Sequence, residues 1–250
     1  MQCDVNGSRV VVAGGSRGIG RSIALAFAAA GAHVSICARD KAALEATRAE
    51  IAAFGHIAHA ASCDLASADA IAAYVPAAAA ALGGLDVLVN NASGFGAGDD
   101  EASWDASIDV DLRAVVRASH AALPFLEAAK GASIINIASG SGIGPSVRTP
   151  AYGAAKAAVI HYTRSQAAAL IRRDIRVNCV APGSIEFPGG VWDRRRTEDP
   201  ALYARTLASM PNGRMGTPEE VASVVVFLAS PMANWVTAQI ISINGGQGLG

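Results

Sequence analysis

Short apolar runs alternate along the whole chain with alanine-rich segments of helical length, and this rhythm constrains the fold more than any single motif. Arg9–Ala13 (RVVVA), His33–Ala38 (HVSICA), His56–Cys63, Leu85–Asn90 (LDVLVN), Ser133–Ala138, Ile175–Val180 and Gln239–Ile243 read as seven strands. Runs this short and uniformly apolar suit strands covered on both faces. Residues 18–30, 40–54, 67–82, 103–129, 151–172 and 217–229 read as helices. Asp40 and Thr217 stand where caps belong, and Glu220 lies three residues after Thr217, as a capping box requires. Strands alternating with helices through right-handed crossovers give an α/β architecture: a doubly wound parallel sheet with helices on both faces.

The chain is 52% hydrophobic and 16% charged, so a large core is available over its 250 residues. No linker or charge block divides it, and one domain over 1–250 is expected. Residues 182–212 are rich in Pro, Gly and charge and read as a long irregular stretch with one short helix near 200–209. A loop of that length inside a compact fold predicts a lid, here placed at about 186–212. The net charge of -1 and the lack of a Lys/Arg stripe argue against nucleic acid as partner. No apolar run reaches the ~18 residues of a membrane span. The N-terminal residues show no basic region followed by an apolar one, so a cytoplasmic location is expected. Cys3, Cys37, Cys63 and Cys179 form no CxxC, and His56 and His59 have no third ligand nearby, so no metal site is expected.

Two stretches carry chemistry. The first strand runs into Gly14-Gly15-Ser16-Arg17-Gly18-Ile19-Gly20 and then into a helix. Glycines there allow a tight turn, and a helix N-terminus offers free N–H groups to a pyrophosphate. Arg17 lies in this loop and Arg39 follows the second strand. Two guanidiniums near an adenosine ribose suit a 2′-phosphate, so NADP is favoured over NAD. Asp64, beside Leu65, follows the third strand, where a carboxylate can accept from an adenine amino group. Asn90-Asn91-Ala92-Ser93 ends the fourth strand at the edge where such sheets bind ligands.

The second stretch is Ile134–Lys156. Ser139 follows a strand, and Tyr152 and Lys156 are four apart on a helix, on one face. Tyrosine titrates near ~10, and a neighbouring ammonium is expected to lower that value and make the phenol an acid–base group. Ser139 can hold the same substrate oxygen by a hydrogen bond.

With these pieces in this order, the chain resembles the single-domain short-chain dehydrogenase/reductase family over nearly its whole length. The matching residues are Gly14-x3-Gly18-Ile19-Gly20, Asn90-Asn91-Ala92, Ser139, Tyr152-x3-Lys156, Pro182-Gly183, Arg214–Glu220 and Asn244-Gly245-Gly246. The resemblance implies a seven-stranded Rossmann fold and hydride transfer between a nicotinamide cofactor and an alcohol/ketone pair. It implies Tyr152 as acid/base, Lys156 on the nicotinamide ribose, Ser139 on the substrate, and Pro182, Gly183 and the Ile185 backbone along the cofactor. It also implies a homotetramer, with helices 103–129 and 151–172 at one interface.

The chain departs from the family at four places. Ala13 stands where a threonine is usual, and Ser93 where a glycine is. The threonine usual after Pro182-Gly183 is missing. Asp111 stands where the fourth catalytic residue is an asparagine. An ionised aspartate only accepts hydrogen bonds; it is expected to accept from Lys156 or a relay water and to alter the lysine's pKa. The substrate, a small carbonyl or alcohol such as a 3-oxoacyl thioester or a bulky ketone, is expected between 94–99, 140–148 and the lid. Phe95, Ile143, Phe187, Val191, Trp192 and Met210 would form its apolar wall. Arg194–Arg196 are read as a solvated lid face or as contacts to an acidic group. Asp111 also leaves open an alternative: a dinucleotide-binding regulator of this fold that has lost turnover.

Overall fold

The computed structural model of the chain describes residues 3–248. Seven strands, β1 (Arg9–Ala13), β2 (His33–Ala38), β3 (Ala58–Ser62), β4 (Val87–Asn90), β5 (Ala132–Ile137), β6 (Ile175–Pro182) and β7 (Ile240–Ile243), form one sheet in the order β3-β2-β1-β4-β5-β6-β7. All neighbouring pairs are parallel. The chain winds outward from β1 in one direction and from β4 in the other. The connections after β1 and β4 therefore leave to opposite faces, which opens a crevice at their C-terminal ends.

The helices are α1 (Gly18–Ala29), α2 (Lys41–Ala52), α3 (Ala68–Leu82), α4 (Glu101–Ala106), α5 (Ala114–Glu127), α6 (Pro150–Leu170), α7 (Val191–Glu198), α8 (Pro200–Ala208) and α9 (Pro218–Ala229). Successive strand residues point to opposite faces, and the core splits accordingly. Val10, Val12, Val34 and Ile36 pack on Ile23 and Phe27 of α1 and on Val221 and Val225 of α9. Val11, Leu88 and Ile134 pack on Ile71 and Val75 of α3, Leu126 of α5 and Leu170 of α6. Both expected caps form. Asp40 accepts from the Ala42 and Ala43 N–H groups at 3.0 and 3.1 Å, and Glu220 accepts from the Thr217 N–H at 2.8 Å.

A buried polar ladder fixes α6 against the sheet. The Asn90 side chain donates to Asn136 Oδ1 at 2.9 Å and to Ser119 Oγ at 3.2 Å. Asn136 in turn donates to Thr163 Oγ1 of α6 at 3.0 Å. Neutral amides that are all partnered can be buried without the penalty of an orphaned polar group.

Two elements differ from the sequence expectation. The single helix over 103–129 is instead α4 and α5 joined by a π-helical stretch, Ser107–Arg113, that contains Asp111. The segment 182–212 is not mostly irregular: α8 falls where a short helix was expected, and α7 precedes it. α7 reads Val-Trp-Asp-Arg-Arg-Arg-Thr-Glu and has no apolar stripe to announce it. Among the described residues no helix is long and apolar enough to cross a membrane, and no cluster of metal-ligating side chains occurs.

Candidate active site

The glycine loop is strapped to two strand ends. The Gly14 and Gly15 N–H groups both donate to the Cys37 carbonyl at 3.1 Å, and Asn91 Nδ2 donates to the Gly14 carbonyl at 2.7 Å. Gly14 has φ +85°, the left-handed region that favours glycine. A Cβ on Gly20 would lie 2.0 Å from the Gly14 carbonyl oxygen and 2.4 Å from Asn91 Nδ2. The loop therefore keeps its backbone bare. Arg17, the residue before α1, places no side-chain cap on the first turn, so those N–H groups are available to an anion. This cradle fits a dinucleotide pyrophosphate.

Arg17 and Arg39 are both exposed, and neither enters an ion pair among the described residues. Ser16 is anchored through its carbonyl, which accepts from Thr47 Oγ1 at 3.1 Å. Asp64 is exposed while Leu65 beside it is buried. The segment after β6 reaches the loop: a Cβ on Gly18 would lie 2.4 Å from the Phe187 ring. Gly183 donates to the Ile243 carbonyl at 3.0 Å, and Ile185 is held by a bridge to Gly216. That bridge uses the Ser184 carbonyl and the Glu186 N–H, and the Ile185 N–H has no partner among the described residues.

Ser139 lies two residues past β5, Tyr152 and Lys156 stand one turn apart on α6, and Ser139 and Lys156 both act on the Tyr152 phenol. Lys156 Nζ lies 5.6 Å from the Tyr152 ring centroid. It donates to the Ile137 carbonyl at 2.9 Å and pairs with Asp111 Oδ1 at 3.0 Å. Both partners are buried, with Lys156 2% and Asp111 0% exposed. The second carboxylate oxygen accepts from the Gly94 and Phe95 N–H groups at 3.1 and 3.3 Å. Phe95 has φ +47°, strained for a residue with a side chain, and its ring meets Tyr152 edge-on at 5.0 Å.

The electrostatics correct one expectation. Lys156 does favour ionisation of Tyr152, and so does Ser139, but the phenol's pKa is raised overall. Burial is the largest cause, and the Asp111 charge adds to it. Burial alone would also lower the lysine's pKa; the nearby Asp111 charge and Tyr152 outweigh it and hold the ammonium above its ordinary value. Cys179 of β6 lies on the lysine side, its thiol pushed up to about 11 chiefly by burial.

Arg194, Arg195 and Arg196 are occupied within their own segment, 186–203. Arg194 donates to the Gly189 carbonyl at 2.9 Å, Arg195 stacks on Trp192, and Arg196 pairs with Glu186 and covers Tyr203. Of the expected wall residues, Met210 is buried, Ile143 is 58% exposed and Phe95 lies on Tyr152. A cavity of about 380 Å³ lined by Ser141, Gly142, Val147 and Gly153 lies near the start of α6 and includes none of Ser139, Tyr152 or Lys156. Nothing in the sequence signalled that Phe95, expected only as part of an apolar wall, would lie on Tyr152, nor the roles of the Ile137 carbonyl and the Asn90–Asn136 ladder.

The chain belongs to the short-chain dehydrogenase/reductase family of oxidoreductases, which act on a CH–OH/C=O pair. The family profile described as enoyl-(acyl carrier protein) reductase matches residues 13–247. The 3-oxoacyl-(acyl-carrier-protein) reductase of Staphylococcus aureus is 38% identical over 244 residues, covering 94% of this chain and 96% of its own. A short-chain dehydrogenase from Burkholderia cenocepacia solved with NADP superposes with a TM-score of 0.90 at 35% identity, over 98% of this chain and 99% of its own. A 7α-hydroxysteroid dehydrogenase solved with NADH and a 7-oxo bile acid superposes with a TM-score of 0.92 at 31% identity, over 99% and 98%.

Proposed function

We propose that the chain is an NADP-dependent oxidoreductase that interconverts a ketone and a secondary alcohol. The observation that carries this reading is the meeting of Ser139, Tyr152 and Lys156 at the sheet edge that also holds the glycine cradle. When bound, the cofactor supplies or accepts the hydride. In reduction the Tyr152 phenol gives its proton to the substrate oxygen, and the Ser139 hydroxyl donates a hydrogen bond to the same oxygen. Lys156 holds the nicotinamide ribose and keeps its charge beside the phenol.

Gly14, Ser16, Gly18, Ile19 and Gly20 would hold the pyrophosphate, Asp64 and Leu65 the adenine, and Asn91, Ala92 and Ser93 the ribose beyond it. Pro182, Gly183 and the Ile185 N–H would hold the carboxamide. The two unpaired guanidiniums, Arg17 and Arg39, favour the 2′-phosphate of NADP over NAD. The substrate is a 3-oxoacyl thioester or a bulky ketone, classes that the names of the staphylococcal and steroid relatives also span. It enters under the lid at 186–212. A homotetramer and a cytoplasmic location belong to the same reading and come from the family resemblance.

A panel pairing NADPH and NADH with 3-oxoacyl thioesters and bulky ketones, followed by cofactor absorbance, tests it. Turnover with NADPH that Tyr152→Phe abolishes is the expected result. A clear NADH preference would refute the arginine assignment. The absence of any turnover, with dinucleotide binding intact, would favour the impaired regulator that Asp111 suggests.

A further inference from the structure

Among the described residues, the groups that meet the Asp111 carboxylate are cationic or donors: the Lys156 ammonium forms an ion pair with Oδ1, and the Gly94 N–H and the Phe95 N–H, the latter shared with Ser93 Oγ, donate to Oδ2. An acceptor-only side chain matches all three. The amide of an asparagine has one oxygen, so its NH2 would face either the lysine or the loop. The aspartate thus does two things at once. It cancels the charge of a fully buried lysine, and it braces the strained Phe95 whose ring meets Tyr152.

Few other charges reach the phenol. Lys156 acts from its own helix and Asp111 from the π-helical stretch, and Ser139 offers a hydroxyl from the end of β5. Cys179 of β6 faces the lysine as a neutral thiol. Glu101 and Asp105 of α4 are exposed, and Asp109 is paired with Arg113.

We propose that Asp111 is a positioning residue that sets the direction of proton transfer this site serves: by offsetting the Lys156 charge and bracing the Phe95 loop, it keeps Tyr152 a proton donor, suited to carbonyl reduction near neutral pH and to alcohol oxidation only in alkali. This rests on the reaction proposed above. In that reduction the Tyr152 O–H bond breaks, the substrate O–H bond forms, the cofactor's hydride reaches the carbon, and the phenolate regains its proton from water. Asp111 shifts the pH range of each direction and leaves the equilibrium of the reaction unchanged.

The test has a readout that needs no turnover. The ultraviolet phenolate band of the cofactor-free protein is titrated in wild type and in Tyr152→Phe; the difference isolates Tyr152 from the three other tyrosines. The same is done for Asp111→Asn, with Asp111→Asn/Tyr152→Phe as its reference. The wild-type phenol is expected to titrate above the ordinary ~10. In Asp111→Asn, whose amide oxygen can still accept from the ammonium and keep it charged as leucine cannot, it should titrate about one unit lower, a tenfold rise in phenolate at a given pH. If turnover is found, the pH limb of kcat/KM for alcohol oxidation should move down by the same amount. An unchanged titration in Asp111→Asn overturns the proposal, and so does a wild-type phenol ionising below 10. Should Asp111→Asn not fold, Asp111→Ser with its own Tyr152→Phe reference takes its place, with the same outcomes expected. Failure of every ketone to turn over sinks the proposed reaction and leaves the titration readable.

Discussion

Breaking the Lys156–Asp111 pair on one side should be far worse than removing it altogether. The two groups are 2% and 0% exposed and 3.0 Å apart, so neither can be rehydrated without opening the site. Asp111→Leu leaves a buried lysine with no counter-charge. The lysine can escape by giving up its proton. From a reference near ~10.4, doing so at pH 7 costs about 4.6 kcal/mol, which is the ceiling on the electrostatic penalty. A loss of about 3–4 kcal/mol is expected, in the range found for buried pairs cut on one side. Lys156→Met should cost a similar amount by stranding the carboxylate.

The double variant Asp111→Leu/Lys156→Met should recover most of this loss, because two apolar groups need no partner. The pH dependence has a definite sign. In Asp111→Leu the folded lysine releases its proton below the pH at which the unfolded chain does. The unfolded state then holds more protons, and stability rises with pH between 7 and 10. Urea unfolding of the four proteins at several pH values measures both effects. A double variant as unstable as the sum of the singles would refute the reasoning, and so would an Asp111→Leu variant whose stability ignores pH.

Other outcomes rest on single contacts. Gly20→Ala pushes a methyl onto the Gly14 carbonyl and the Asn91 amide; cofactor affinity should drop about tenfold or more and stability by about 1–3 kcal/mol, read by fluorescence titration and urea unfolding. Arg39→Ala and Arg17→Ala should each raise the KM for NADPH about tenfold and leave that for NADH nearly unchanged, as expected when a guanidinium loses a phosphate. Glu220→Ala removes acceptors from Arg214 and from the Thr217 N–H, and Tm should fall about 2–3 °C. Arg214 foremost, with the Thr217 N–H, holds the Glu220 carboxyl down at about 2. Its stabilisation is therefore complete above the unfolded value near ~4.3 and fades as pH falls toward 2, so the Tm gap should close in acid.

The sheet, its parallel strands and most helices were legible because burial writes itself into the sequence as apolar runs and alanine-rich segments. The trio Ser139, Tyr152 and Lys156 was legible as spacing. The sign of the Tyr152 shift was not, because it depends on how deeply the phenol sits and on where Asp111 falls, and neither is a sequence property. The π-helical stretch was hidden as well, since Ser107–Arg113 keeps a polar and apolar mix that suits ordinary helix. Helix α7 was hidden for another reason: its arginines are ordered by Gly189, Trp192 and Glu186 rather than by an apolar face.

The π-helical stretch has a geometric consequence. Each residue of an α-helix advances the chain by about 100° around the axis. A π turn takes one residue more to make its circuit, so it works as a phase shift between α4 on one side of it and α5 on the other. The buried side of α5 is set by Ala114, Ala118, Ala122 and Leu126 against the sheet. The phase of α4, and of the loop from Gly94 that leads into it, is set separately. Deleting Leu112 or Arg113, which lie between Asp111 and α5, would leave α5 seated and turn Asp111 about a quarter of the way around, off Lys156 and away from the Phe95 loop. The scaffold and the proton chemistry are thus indexed independently, and the length of this one segment is the dial between them.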